Sequence, residues 1–247
     1  MTLLIRNTQD IAFNHGLKML IYGAAGAGKT RLCATTGEKT LMLSAESGLL
    51  SLRNHPMDVV EIKGIDTMRE ALKFVISSDH DYKWLAIDSL SEIAEVCLGA
   101  EMEASQDGRK AYGDMALVMM KVIRAFRDIK GVNVLFTAKM ERTKIEEKIL
   151  FAPMLPGRQL TANIPYLFDE VFVLRTERVG DKIKRYLQTA NDGVYDAKDR
   201  SGALEMFEPC NIKRIAEKIH TRPPADAGTA TQEPVTPTTE SATETAT

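Results

Sequence analysis

One octapeptide restricts the fold more than any other part of the chain. Gly23-Ala24-Ala25-Gly26-Ala27-Gly28-Lys29-Thr30 satisfies the pattern G-x-x-x-x-G-K-[ST] at every fixed position. The pattern has mechanical content. Its glycines let the backbone turn tightly and present N–H groups as a nest for anions. A helix starting at Lys29 would aim the positive end of its dipole at phosphate. Lys29 would reach the β- and γ-phosphates of a nucleoside triphosphate, and the Thr30 hydroxyl would ligate Mg²⁺. Such a loop needs a buried strand before it and a helix after it. Leu17–Tyr22 is an apolar run of strand length, and Lys29–Thr36 reads as the helix. The expected nucleotide-binding segment is the octapeptide together with Arg31.

The rest of residues 1–221 repeats the same alternation. Thr40–Ser44, Val59–Ile62 and Trp84–Ile87 are short apolar runs and Val132–Thr137 is a strong strand pattern. Between them, Thr67–Ser77 carries a capping-box pattern (Thr67 with Glu70) and an apolar face of Met68, Leu72, Val75 and Ile76. Ser89–Ala104 and Asp114–Lys130 also read as helices, the second with Leu117, Val118, Ile123 and Phe126 as its apolar face. Ser105–Gly113 reads as a polar loop. Glu170–Thr176 and Ile183–Thr189 flank a Gly180-Asp181 turn and read as a hairpin, and Ile212–Ile219 as a closing helix. Repeated β–α alternation predicts an α/β domain with a mostly parallel sheet, helices on both faces and antiparallel strands at the end. Residues 222–247 are rich in Thr, Ala, Pro and Glu and poor in large apolar residues, so a disordered, mildly acidic tail is expected there.

Composition excludes several classes. A net charge of −2 leaves any nucleic-acid contact to a local patch. Cys33, Cys97 and Cys210 have no metal-ligand spacing and read as thiols in a reducing compartment. The start of the chain lacks the pattern of a signal peptide, and no apolar stretch approaches the length of a membrane span. A cytoplasmic protein with no membrane partner is expected.

Two carboxylates complete the nucleotide reading. Asp88 follows the run Trp84–Ile87 and precedes Ser89, where a second acid on a neighbouring strand would hold Mg²⁺ through water. The same residue could instead cap the helix that follows. Glu46 lies just past Thr40–Ser44. Ligand chemistry in α/β sheets gathers at the carboxyl ends of strands. If this strand lies near the loop strand, Glu46 faces the γ-phosphate as a general base for water. Its alternative use is to stabilise the N-terminus of a helix over Gly48–Arg53.

With these pieces in this order, the chain resembles the RecA-like ATPases. The resemblance rests on GAAGAGKT, the glutamate in LMLSAESGLL and the Asp-Ser pair in WLAIDSLSEI. More narrowly, DGRKAYGDMALVMMKVIRAFRDI, VNVLFTAKMERTK and YDAKDRSGAL are similar to the short phage-encoded RecA-like proteins of the single-strand-annealing (Sak) group. The resemblance spans roughly residues 16–220. It implies a RecA-like P-loop core that hydrolyses ATP with Mg²⁺, assembles as a ring or filament with ATP at subunit interfaces, and works on single-stranded DNA in the cytoplasm of a bacterial host. A single-strand-binding protein is a second implied partner.

Further roles come with the resemblance. Lys198-Asp199-Arg200-Ser201-Gly202 resembles the K-x-R-x-G finger of DnaB-type helicases, which implies that Lys198 and Arg200 serve a neighbour's γ-phosphate; a solvated basic turn is the plainer reading. The Ser105–Gly113 loop, with Arg109, Lys110 and Tyr112, matches the first DNA-binding loop of the RecA core. Glu141–Arg158, with Arg142, Lys144, Lys148 and Arg158, matches the second. Basic residues with a stacking aromatic suit single-strand binding, although charged loops are often only solvated and Glu146 and Glu147 dilute this cluster. Lys139 stands where RecA has the glutamine that couples nucleotide state to DNA, and is the sensor candidate. The chain is also far shorter than RecA, so filament formation and homology search do not carry over automatically. An alternative of another class is a helicase loader or replication accessory, whose ATPase would not need DNA. A small-molecule kinase lacks its Arg-rich lid here, and an ABC-type ATPase lacks its LSGGQ-like signature.

Overall fold

The computed structural model describes residues 16–46, 48–77, 79–145 and 147–221. The expectations for the start of the chain and for the tail at 222–247 fall outside these residues. Among the described residues, ten strands form one sheet: β1 (Lys18–Gly23), β2 (Thr40–Ser44), β3 (Asp58–Glu61), β4 (Trp84–Asp88), β5 (Asn133–Ile145), β6 (Lys148–Met154), β7 (Glu170–Val179), β8 (Lys182–Gln188), β9 (Lys198–Asp199) and β10 (Phe207–Pro209). The path runs β10-β8-β7-β1-β5-β4-β2-β3, and from β7 to β3 every pairing is parallel. The strand β5 separates the loop strand β1 from the acid-bearing β4, and β2 lies beyond β4. This is the expected α/β core with a mostly parallel sheet. The hairpin β7–β8 supplies its antiparallel edge, with Val179 paired to Lys182 across the Gly180-Asp181 turn.

Six helices accompany the sheet among the described residues: α1 (Lys29–Cys33), α2 (Ile65–Ser77), α3 (Leu90–Ala104), α4 (Gly108–Arg127), α5 (Arg158–Asn163) and α6 (Ile212–Thr221). The period of two along β1 divides the core. Leu20 and Tyr22 join the cluster under α2 to α5, whereas Met19 and Ile21 join the one under α1 and α6. Burial on both faces explains why the central strands read as unbroken apolar runs.

Several boundaries differ from expectation. Helix α4 begins at Gly108, so most of the predicted Ser105–Gly113 loop is helical. Asp107 is its N-cap, accepting from the Arg109 and Lys110 amides at 2.9 and 3.4 Å. Burial of Ala111, Met115 and Met119 outweighs the cost of about 1 kcal/mol for each glycine. That register buries Ile123 and Phe126 as expected but leaves Leu117 63% exposed. The stretch after Thr137 is no loop either: β5 runs on to Ile145 and turns back as β6, with Ile145 paired to Lys148. Helix α2 starts at Ile65, so Thr67 lies inside it and is not its cap. Ile76 faces solvent, and Ala71 joins Met68 and Val75 in the core. No helix of the described residues is long and apolar enough to cross a membrane.

Candidate nucleotide site

The strand β1 delivers its loop at the carboxyl end of the sheet. Gly28 caps α1 with φ 108°, a conformation that L side chains rarely adopt. At Gly23, a Cβ would stand 2.9 Å from the Leu174 carbonyl oxygen on β7, so the loop root tolerates no side chain. Helix α1 has only five residues, three fewer than expected, so the loop amides carry more of the anion attraction and the macrodipole less.

Lys29, Thr30, Glu46 and Lys139 line one cavity of about 550 Å³ with the loop glycines, a size that suits a small ligand. A cleft of about 580 Å³ near the start of β2, bordered by Glu38, His55 and Asp58, holds none of the predicted residues. The Lys29 ammonium folds onto the Gly23 and Ala24 carbonyls at 2.9 and 3.1 Å. Burial pulls its pKa down, while the charges of Glu46 and Asp88 push it back up. The Thr30 hydroxyl donates to Asp88 Oδ2 at 2.6 Å, and Thr137 donates to Asp88 Oδ1. Burial raises the Asp88 carboxyl above its ordinary range, and these two donors oppose it.

The alternative uses of the two acids find no support in the contacts. Ser89, not Asp88, caps α3, accepting from the Glu92 amide at 3.4 Å. Glu46 does not cap the short 3₁₀ turn Leu49–Leu52 that follows it. Instead Glu46 Oε1 accepts a 2.5 Å hydrogen bond from Ser89, and the Ala45 amide donates to the Asp88 carbonyl at 2.8 Å. Lys139 lies level with Gly23 across β1 and β5. Its ammonium is held by Glu92 at 2.9 Å and Glu95 at 3.0 Å, both on α3. Glu92 foremost, and Glu95, raise its pKa.

Arg31 is exposed at the mouth of an adjoining cavity of about 360 Å³. The same cavity is lined by Arg185 on β8, whose Nε donates to the Ala27 carbonyl at 3.0 Å. Sequence patterns do not single out Arg185. Its only signal is membership of the predicted hairpin, and contact with the loop depends on β8 lying two strands from β1.

Lys198 and Arg200 sit elsewhere. The strand β9 pairs with Glu170 and Val171, at the amino end of β7, whereas Gly23 pairs with Leu174. About 13 Å of strand therefore separates the two levels. Lys198 turns inward and donates to the Pro165 and Phe168 carbonyls at 2.8 and 2.7 Å, and Arg200 pairs with Asp169 at 2.9 Å. Neither residue completes the cavity of its own chain.

The DNA candidates divide into two groups. Arg109, Lys110 and Tyr112 stand on the first turn and a half of α4. A Cβ on Gly157 would meet the Tyr112 ring at 3.4 Å, so this group adjoins Arg158 at the start of α5. Arg142 and Lys144 lie two apart on the exposed part of β5, hence on one face of the β5–β6 hairpin, and Lys144 pairs with Glu147 at 3.5 Å.

A family model described as AAA domain matches residues 15–201. No curated protein matches the chain. Among solved structures, the chain is similar to a KaiC-like protein from the hyperthermophilic archaeon Pyrococcus horikoshii OT3. That match has 19% identity and a TM-score of 0.44, and covers 71% of this chain and 79% of that one.

Proposed function

The chain belongs to the AAA domain family, and from that premise we propose that it is a RecA-like ATPase of phage DNA recombination, of the single-strand-annealing kind. In this reading it binds single-stranded DNA and hydrolyses ATP with Mg²⁺.

One observation carries the hydrolytic reading: the 2.6 Å contact between Thr30 and Asp88 stands in the same site as Lys29 and a side-chain-anchored Glu46. A hydroxyl and a carboxylate are the oxygen donors that Mg²⁺ takes. Thr30 and Asp88 would hold the ion, which when bound neutralises phosphate charge. Lys29 exchanges the Gly23 and Ala24 carbonyls for the β- and γ-phosphates. Glu46 takes a proton from water as the water oxygen bonds to the γ-phosphorus. The bond from that phosphorus to the bridging oxygen breaks, and ADP leaves.

The DNA reading is supported by the neighbourhood of Arg109, Lys110, Tyr112 and Arg158, which offers cations and one ring to a flexible strand. The cations Arg142 and Lys144 on β5 and Lys148 on β6 lie along a hairpin rooted at Lys139, which lines the cavity. Arg200 serves the site of a neighbouring subunit in a ring or filament.

The test is steady-state ATP turnover with and without single-stranded DNA, with a size measurement in ATP. Stimulation by DNA and an ATP-dependent assembly are expected. Turnover that ignores DNA of every length, with no DNA binding, would overturn the recombination reading and favour an accessory switch working through a protein partner.

A further inference from the structure

Ser89 is fully buried, and its hydroxyl does more than cap α3. The capping contact to the Glu92 amide is long, at 3.4 Å, whereas the contact to Glu46 Oε1 is 2.5 Å. A short hydroxyl-to-carboxylate hydrogen bond is charge-assisted and roughly twice as strong as a neutral one. The main chain at Glu46 is fixed as well: Ser44 Oγ donates to its carbonyl at 2.7 Å, and the preceding amide donates to the carbonyl of Asp88. The backbone is thus tied to the strand ends, and the side chain is tied at one oxygen.

We propose that Ser89 is a positioning residue for hydrolysis, holding Glu46 Oε1 so that Oε2 meets the attacking water. The proposal rests on the reading of Glu46 as the base. A glutamate on a loop has several rotamers, and a base works only within hydrogen-bond reach of the proton it takes. Fixing one oxygen removes those alternatives without using the second. The same helical turn carries Glu92, which grips Lys139 at the root of the β5–β6 hairpin. The orientation of the base is thereby tied to the element next to the DNA candidates.

The test uses the full chain with Ser89→Gly and Ser89→Ala, each alone and with Glu46→Gln. Both substitutions remove the hydroxyl, but glycine is nearly as good an N-cap as serine and alanine is a poor one. A capping role therefore separates the two variants and a positioning role does not. In both, kcat should fall about 10- to 100-fold, the scale expected for misplacing a reacting group by about 1 Å. KM for ATP should stay within about twofold, because only a transition-state interaction is lost. Urea midpoints should differ between the two. In the Glu46→Gln background, Ser89→Gly should leave the residual turnover unchanged. Wild-type kcat in Ser89→Gly overturns the proposal. So does a loss confined to Ser89→Ala, or the same fold-loss with and without Glu46→Gln. Wild-type turnover by Glu46→Gln alone refutes the base reading itself, whatever the Ser89 variants do.

Discussion

Replacing Glu170 by glutamine should flatten the stability of this protein against pH. Glu170 begins β7 with its side chain 1% exposed; it accepts from the Ser201 amide at 3.2 Å, and its Oε2 has no donor among the described residues. Its neighbour Asp199 is engaged by the Ser201 hydroxyl at 2.5 Å and by the Gly202 and Leu204 amides, each at 3.0 Å. Burial first, and then the Asp199 charge, push the Glu170 carboxyl from 4.5 up to about 8. A proton on Glu170 gives the orphan oxygen something to donate to Asp199. Because the folded pKa lies above the unfolded one, the folded state binds more protons across the window from 4.5 to about 8. Stability from this group is complete below the window and falls as pH rises through it, by at most about 1.4 kcal/mol per pH unit. That sets a ceiling near ~5 kcal/mol, and relaxation of the 199–204 turn brings the expected fall to about 2–3 kcal/mol. Glutamine keeps the shape and can donate to Asp199 at every pH. Urea unfolding at pH 5, 6, 7 and 8 measures both proteins, with a shared slope against urea required for the comparison. The gap should widen with pH in favour of Glu170→Gln. Lys18, whose pKa burial lowers to about 8, titrates in both proteins and cancels from the difference. Parallel curves from pH 5 to 8 would refute the shared-proton account.

Two more outcomes test the nucleotide site. Lys29→Ala should abolish ATP turnover, and unchanged hydrolysis in a coupled assay would remove the basis for the whole reading. Subunits carrying Arg200→Ala, inactive by themselves, should regain part of their turnover when mixed with Lys29→Ala subunits, since each supplies what the other lacks. No recovery across mixing ratios would count against a site shared between subunits.

The parts of this site that could be read from sequence are those with local causes. The phosphate loop has fixed spacing, and Asp88 and Glu46 each follow an apolar run short enough to be a buried strand. Expectation and structure part where tertiary burial decides. Gly108 and Gly113 mark a loop by composition, yet Met115 and Met119 hold them in α4; β5 outruns its apolar segment because β6 pairs with its polar half. Ser89 and Arg185 were hidden for another reason: their partners stand 43 and 158 positions away, so sheet order alone brings them together. The Lys198–Arg200 pair shows what such order decides. As sequence the two cations are equivalent candidates for a finger. In the fold, Lys198 is gripped by two main-chain carbonyls beneath β7, and releasing it would leave both without a donor. Arg200 is 57% exposed and bound by a single surface carboxylate, an attraction weak enough for a phosphate to replace. A cation offered to a neighbouring subunit must be able to leave its own, and of the two only Arg200 can.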